Sequence, residues 1–461
     1  MNNFSYQEKI IFWAALWLRI TVLGVLLWVS GEAGITGYGD APQYVSVANN
    51  LVQGNGFTEG PYPDVLESKR PPGYPAYLAF FLKTGFPLWA AAVLQIIMSS
   101  FTPILAMRLA RLIGLGNNAE LLVGMLTASE PMHIFYSVPL LSDSLAALLF
   151  IWGVYHLVRF WEERGATHLF LSAGILGIMN YIRPIGIYLY LLLPLAILVG
   201  GIVLDRKQWK NHAYSAIVFG TLFFLILTPW MFRNYVRFGA FDFTSAIGQH
   251  LYVYSAAAVR GAAEGTTWKE MKQRLLSEIE PVLPEPRNIS HFANRHMLRD
   301  RAKEIISAYP QEYLKLYLFS LQSFLIAGDY HELLAFHNIM DEPKGTRSFP
   351  MIFASKSISE SIAAVKAFSR EPYWLIAILG RVWWGGIFLL SNFGAWWLWR
   401  HTPSSRFAVL IYVFFLFYLA LVTTHLVSGI VGRQRLFIHP LYFIFMAAGA
   451  GAIFNWLRHR F

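Results

Sequence analysis

The sequence predicts an all-α polytopic membrane protein of about 10–12 transmembrane helices, each needing ~20 apolar residues to cross. Three observations predict it. Of 461 residues, 56% are hydrophobic and only 14% are charged, whereas soluble domains carry ~25% charged residues. Residues 86–107, 185–204, 213–232, 382–399, 407–424 and 436–457 contain no Asp, Glu, Lys or Arg, and residues 10–29 contain only Arg19. The basic residues are spread unevenly over the ends of these runs, as membrane topology requires.

In chain order, 10–29 reads as a retained first span, since no small-residue cleavage site follows it before the acidic loop. Arg19 within it either snorkels or pairs locally and receives no role. Weaker candidate spans lie at about 119–139, 144–160 and 166–181. The first of these carries Glu130 and His133, with Pro131 pointing to a broken helix. With both termini inside, the inner turns hold Lys9, Arg108, Arg111, Arg159, Arg164, Arg206, Lys207, Lys210, Arg400, Arg406, Arg458 and Arg460. The outer ends of short segments hold Lys69, Arg70, Lys83, Arg183, Arg433 and Arg435. Ten spans satisfy that asymmetry. The segment 311–328 either crosses, with 350–368 as its return, or lies amphipathically on the surface.

Two large loops then fall outside, residues 30–85 and the polar, proline-punctuated stretch 233–373. The expected organisation is a membrane module over 1–235 that carries the first outer loop, 30–85. An outer region with interfacial helices follows over 236–372, and C-terminal transmembrane helices over 373–461. The net charge of +10 suits topology and anionic lipid before nucleic acid. The absence of cysteine excludes disulfides, thiolate catalysis and Cys-bound zinc or iron–sulfur centres.

Two acids and several bases carry the chemical interest. Asp40 follows the first span and precedes a helical pattern through Tyr44, Val47, Ala48 and Leu51. It reads either as a helix cap or as a carboxylate at a membrane-surface cavity, able to take a proton from a nucleophile. Ser142-Asp143-Ser144 likewise reads as a helix N-terminus or as a second functional acid. Lys69-Arg70-Pro71-Pro72-Gly73-Tyr74-Pro75 is an extended turn that presents two cations, and an arginine there suits a phosphate through its planar fork.

These residues, with NYIRPIG at 180–186, TPWMFRNYVRFGAF at 228–241 and GRQRLFIHPLYF at 432–443, occur in an order that resembles the GT-C glycosyltransferases. The branch they are most similar to contains the protein O-mannosyltransferases and the lipid A aminoarabinose transferases. The resemblance covers nearly the whole chain but is poor over 260–370. It implies a GT-C-like fold in the cytoplasmic (inner) membrane, with its active site on the extracytoplasmic side. It further implies inverting transfer of a sugar from a polyprenyl phosphate to an acceptor hydroxyl on protein, lipid or glycan. Asp40 then matches the catalytic base, and Asp143 orients a substrate. Arg70, Lys69, Arg233, Arg433 and Arg435 bind the donor phosphate, while Tyr44, Tyr74 and Arg183 line the cavity.

Other chemistry finds less support. His-Glu-x-x-His spacing is missing, and His291 and His296 stand five apart. Asp329-x-His331-Glu332 reads as a solvated loop rather than a cation site. No second carboxylate follows Asp40 closely, so catalysis without a metal or other cofactor is expected, although a divalent ion is not excluded. The expected partners are the donor lipid, the acceptor and membrane lipid, with no nucleic acid. A flippase or exporter of lipid-linked sugar is the competing class. It would place its charges near the bilayer midplane, whereas these fall at one predicted face.

Overall fold

Backbone amides and carbonyls inside a bilayer must be satisfied within their own segment, so long apolar runs fold as helices. In the computed structural model, which describes residues 4–60, 62–330, 359, 372–424 and 432–458, they do so. Among the described residues, seven helices are long and apolar enough to cross a membrane. These are Tyr6–Ser30, Leu88–Leu112, Asp143–Glu163, Arg206–Phe238, Leu375–His401, Pro403–Thr424 and His439–Arg458. Two shorter apolar helices, Ala166–Ile182 and Leu189–Leu204, join them. The isolated bridge between Thr58 and Leu66 is the β pairing found among the described residues.

The span expected at about 119–139 is interrupted. Its helix stops at Ser129 and a short one resumes at Pro131–Phe135. Pro131 brings no N–H and pushes Glu130 into extended backbone, and the Glu130 carboxylate then caps the new turn by accepting from the His133 amide at 2.7 Å. The segment expected at 311–328 is a helix over Pro310–Ile326 that packs on the Pro372–His401 and Arg406–Thr424 helices. It is not among the helices long and apolar enough to cross. Its expected return, 350–368, lies outside the described residues, apart from Ser359. Arg19 does not snorkel. It is fully enclosed (0% exposed), and it donates to the Ala15 carbonyl at 2.9 Å and the Ala128 carbonyl at 3.3 Å.

The two ends of the bundle differ in chemistry. At one end, residues assigned to the inner turns pair with one another: Arg108 with Glu8 at 3.0 Å, Arg111 with Glu120 at 2.8 Å and Arg164 with Asp205 at 2.9 Å. At the opposite end, Asp143 opens the helix Asp143–Glu163, whose other end meets Arg164, Arg183 follows Ala166–Ile182, and Asp40 and Arg433 join them from the turns after Tyr6–Ser30 and before His439–Arg458. Beyond that end, residues 246–308 form short helices with their own apolar cluster of Tyr252, Val253, Met271, Leu275 and Leu298. This outer unit docks on the first loop, with Ser245 and Ser68 hydroxyls 3.0 Å apart and Asn288 donating to Glu59 at 3.2 Å.

The turn that opens the helix Gly73–Lys83 lies against the break after Ile182. A methyl group on Gly73 would meet the Tyr181 carbonyl oxygen at 2.6 Å, and neither backbone can yield cheaply. Gly73→Ala is therefore expected to cost roughly 1–3 kcal/mol of stability, read as a lowered thermal unfolding midpoint of the detergent-purified protein. An unchanged midpoint would show that the turn has room to relax.

Candidate active site

Asp40 stands where the chain reverses out of the first span. Gly39 makes the turn possible with φ of +53°, a left-handed conformation open to glycine at little cost. The helix Ala41–Val52 begins at the next residue, so Asp40 occupies its N-cap position. Its side chain, however, makes no capping hydrogen bond. The carboxylate turns instead to Arg433, whose Nη2 donates to Oδ2 at 3.1 Å. Asp143 behaves alike. Helix Asp143–Glu163 does begin there, but neither Ser142 nor Asp143 is spent on a cap. Arg433 grips Asp143 with both arms of its guanidinium, Nε to Oδ1 at 2.9 Å and Nη2 to Oδ2 at 2.8 Å. Arg183 adds a third bond at 3.2 Å. One arginine thus bridges acids that lie 103 residues apart in sequence. Asp143 is wholly enclosed (0%), whereas the Asp40 side chain stays 36% exposed.

The remaining candidates arrange themselves around this bridge. Arg183 also donates to Gln434 at 3.4 Å. The Tyr44 hydroxyl lies 3.0 Å from that of Ser142, and the Arg70 guanidinium sits 5.9 Å from the Tyr44 ring. Tyr74 packs edge-on behind Tyr44 and donates to Gln95 at 2.7 Å, so it buttresses the wall with its hydroxyl already engaged. Burial opposes ionisation of Asp40, but Arg433, Lys69, Arg183 and Arg70 outweigh it and hold the carboxyl well below the usual carboxylate range. Those four cations therefore act on one carboxylate.

Two candidates are not brought to the acid pair. Arg233 donates to the Glu67 carbonyl at 3.1 Å and to Asn234 at 2.8 Å, with its guanidinium 4.7 Å from the Trp230 ring. It braces the 67–70 turn from below. Arg435 is fully buried and bonds the Phe324 and Ala327 carbonyls and His439, with its guanidinium 4.0 Å from the Trp384 ring. It anchors the end of the Pro310–Ile326 helix.

Arg435 also bears on a second cluster. Glu130, His133 and His439 lie with possible ligand atoms within 4.8 Å of one another. Arg435 Nε donates to His439 Nε2 at 3.2 Å, which leaves the proton of a neutral ring on Nδ1, 3.5 Å from a Glu130 oxygen. Arg435 and Arg19 already act on Glu130, and a dication there would face two buried positive charges. The cluster reads as an internal polar network.

Sequence reasoning missed Glu67, which accepts from the Lys69 amide at 2.7 Å, the Arg70 amide at 3.1 Å and the Arg70 guanidinium at 3.0 Å. The Glu-x-x-Arg spacing was its available signal. A cleft of about 760 Å³ lies elsewhere, between Asp64–Leu66, Arg237–Phe241 and the 285–296 loop, and the Asp40–Asp143–Arg433 cluster does not line it.

Residues 69–232 match the family described as dolichyl-phosphate-mannose-protein mannosyltransferase. That stretch includes Lys69, Arg70, Tyr74, Asp143 and Arg183. The match bears out the resemblance to GT-C membrane glycosyltransferases. No curated protein matches the chain significantly. Among solved structures, ArnT from Cupriavidus metallidurans bound to undecaprenyl phosphate is 12% identical with a TM-score of 0.38, covering 94% of this chain and 77% of that one. Its apo state gives 12% and 0.38, with coverage of 91% and 76%. At that distance no residue is carried over from either.

Proposed function

Taking the chain as a GT-C-type membrane glycosyltransferase, we propose that it moves a sugar from a polyprenyl-phosphate donor to an acceptor hydroxyl by direct inverting displacement. The reaction takes place at the extracytoplasmic face of the cytoplasmic membrane. The observation that carries this reading is Arg433 bridging Asp40 and Asp143 among Lys69, Arg70 and Arg183. Four cations stand there against three ionised carboxylates, Asp40, Asp143 and Glu67, which leaves one positive charge. A phosphodiester monoanion balances it.

In the reaction, Asp40 accepts the proton of the acceptor hydroxyl as its oxygen bonds to the anomeric carbon. The anomeric C–O bond breaks and its electron pair leaves with the phosphate, whose developing charge Arg70, Lys69 and Arg433 stabilise. Asp143, sealed behind Arg433, positions that arginine and Arg183 rather than touching substrate. Asp40 is the acid left open enough to meet an acceptor.

Release of polyprenyl phosphate from hexosyl, pentosyl and aminosugar polyprenyl phosphates tests the reading, using purified protein and an envelope extract as acceptor source. Release by the wild type from one donor class supports it. No release from any class, together with movement of the intact donor across liposomes, would place the protein among transporters. For the phosphate subsite, Arg70→Ala is expected to weaken binding of undecaprenyl phosphate more than Arg70→Lys, because alanine removes the charge as well as the fork. Equal affinity for all three proteins would move the phosphate away from Arg70.

A further inference from the structure

Beneath the two cations of the 69–70 turn lies a pair of glutamates that the proposed reaction does not use. Glu67 is fully enclosed (0%), and it holds the turn by accepting two backbone amides and the Arg70 guanidinium within 3.1 Å. Its neighbour across the hairpin is Glu59: the Glu59 amide donates to the Val65 carbonyl at 2.7 Å and the Glu67 amide to the Phe57 carbonyl at 3.1 Å, and the two carboxyls act on each other. Two buried carboxylates that act on each other repel unless one keeps its proton. Glu59 is fixed by Asn50, which donates to its carbonyl at 2.8 Å, and by Asn288 of the outer unit, at 3.2 Å from its carboxyl. Thr244, also from beyond the bundle, donates to the Lys69 carbonyl at 2.7 Å.

We infer that Glu67 is a positioning residue for the donor phosphate subsite, aiming Lys69 and Arg70, and that Glu59 is the partner that keeps it in place. This rests on the phosphate reading proposed above. The groups facing the pair are Lys69 and Arg70 on its own loop, Arg233 from the Trp209–Phe238 helix and Asn288 from the outer unit. Burial and the Glu67 charge push the Glu59 carboxyl up to about 7. Below that pH the pair holds one negative charge and the clamp is closed. Above it, two adjacent negative charges repel, and Glu67 is drawn from the Lys69 and Arg70 amides.

The test measures binding of undecaprenyl phosphate to the purified full chain in detergent, at about pH 6 and about pH 8, where the phosphate monoester, with its second ionisation near ~6, also gains charge. Glu67→Gln keeps a carbonyl for one amide but loses the charge that orients Arg70, and a charge-assisted bond of this kind is expected to be worth about tenfold in affinity. Glu67→Ala should lose more. The probe titrates itself, so the pH comparison is made between proteins. Wild type should lose affinity relative to Glu59→Gln as pH rises, because the amide cannot ionise. The thermal midpoint of each variant serves as the folding control.

If Glu67→Gln binds as the wild type while Arg70→Ala does not, the positioning role is wrong and the phosphate reading stands. If Arg70→Ala also binds normally, the phosphate reading itself fails. Parallel pH curves for wild type and Glu59→Gln would remove Glu59 from the device. Should Glu67→Ala fail to fold, Glu67→Gln and Glu59→Gln still decide the matter.

Discussion

Replacing Asp40 by Asn is expected to leave a folded protein that has lost about 10²–10⁴ of its turnover, the usual loss for a general base. Two observations separate this from a packing defect. The Asp40 side chain makes no capping bond for the helix Ala41–Val52, so the helix loses nothing by the change. Arg433 keeps its paired contact with Asp143. Near-wild-type kcat in purified Asp40→Asn would remove Asp40 from the reaction. The same site also predicts a pH signature. In the free protein, Arg433 and its neighbouring cations hold Asp40 well below the usual carboxylate range. A donor phosphate neutralises those cations and releases Asp40 toward ordinary basicity. The carboxylate must be ionised to act, so activity falls as pH drops through its pKa. The acid limb of kcat should therefore lie at higher pH than that of kcat/KM, since the first reports the donor complex and the second the free enzyme. Coincident limbs would mean that the phosphate does not sit beside Asp40.

The sequence was legible where a residue's role follows from its local run. Charge-free stretches marked the helices because uncompensated charge in hydrocarbon is costly, and Pro131 marked the interruption because proline removes a donor. Asp40 and Asp143 stood out for a local reason too, each opening a helix. Their actual use is non-local. Neither caps; both are held by Arg433, which lies 290 residues after Asp143. Local pattern cannot tell a cap from a long-range ion pair, because both want an acid at a helix start. Arg433 and Arg435 show the same limit from the other side. Two residues apart in a four-residue helix, Gly432–Arg435, they point in different directions: Arg433 to the acids, Arg435 to the carbonyls of the Pro310–Ile326 helix. Charge is the same for both, and helix phase separates them. Glu67 was obscured for another reason, because beside Lys69 and Arg70 a glutamate reads as ordinary surface balance. Its loop is held by Thr244 and Ser245, which bond Lys69 and Ser68, and by Asn288, which bonds Glu59 from the stretch where sequence resemblance is poor.

Arg433 should give the largest change in stability. Asp143 is wholly enclosed and takes two of its three arginine bonds from Arg433. In Arg433→Met it would face Arg183 alone, and stripping one partner from a buried pair typically costs about 3–5 kcal/mol, because the remaining charge is left without compensation. Adding Asp143→Asn removes that charge. The double variant should therefore unfold at a higher temperature than Arg433→Met alone, although it carries one more substitution. Activity should not follow. Arg433 also holds Asp40 and is proposed to face the leaving phosphate, and neither contact returns when Asp143 is neutralised. Thermal unfolding of the wild type, the two single variants and the double variant gives the coupling directly, with losses in contacting residues expected to be non-additive by about 0.5–3 kcal/mol. Strictly additive losses would show that the two residues are not an energetic unit. A double variant that regained turnover along with stability would show that Arg433 serves the fold and not the chemistry.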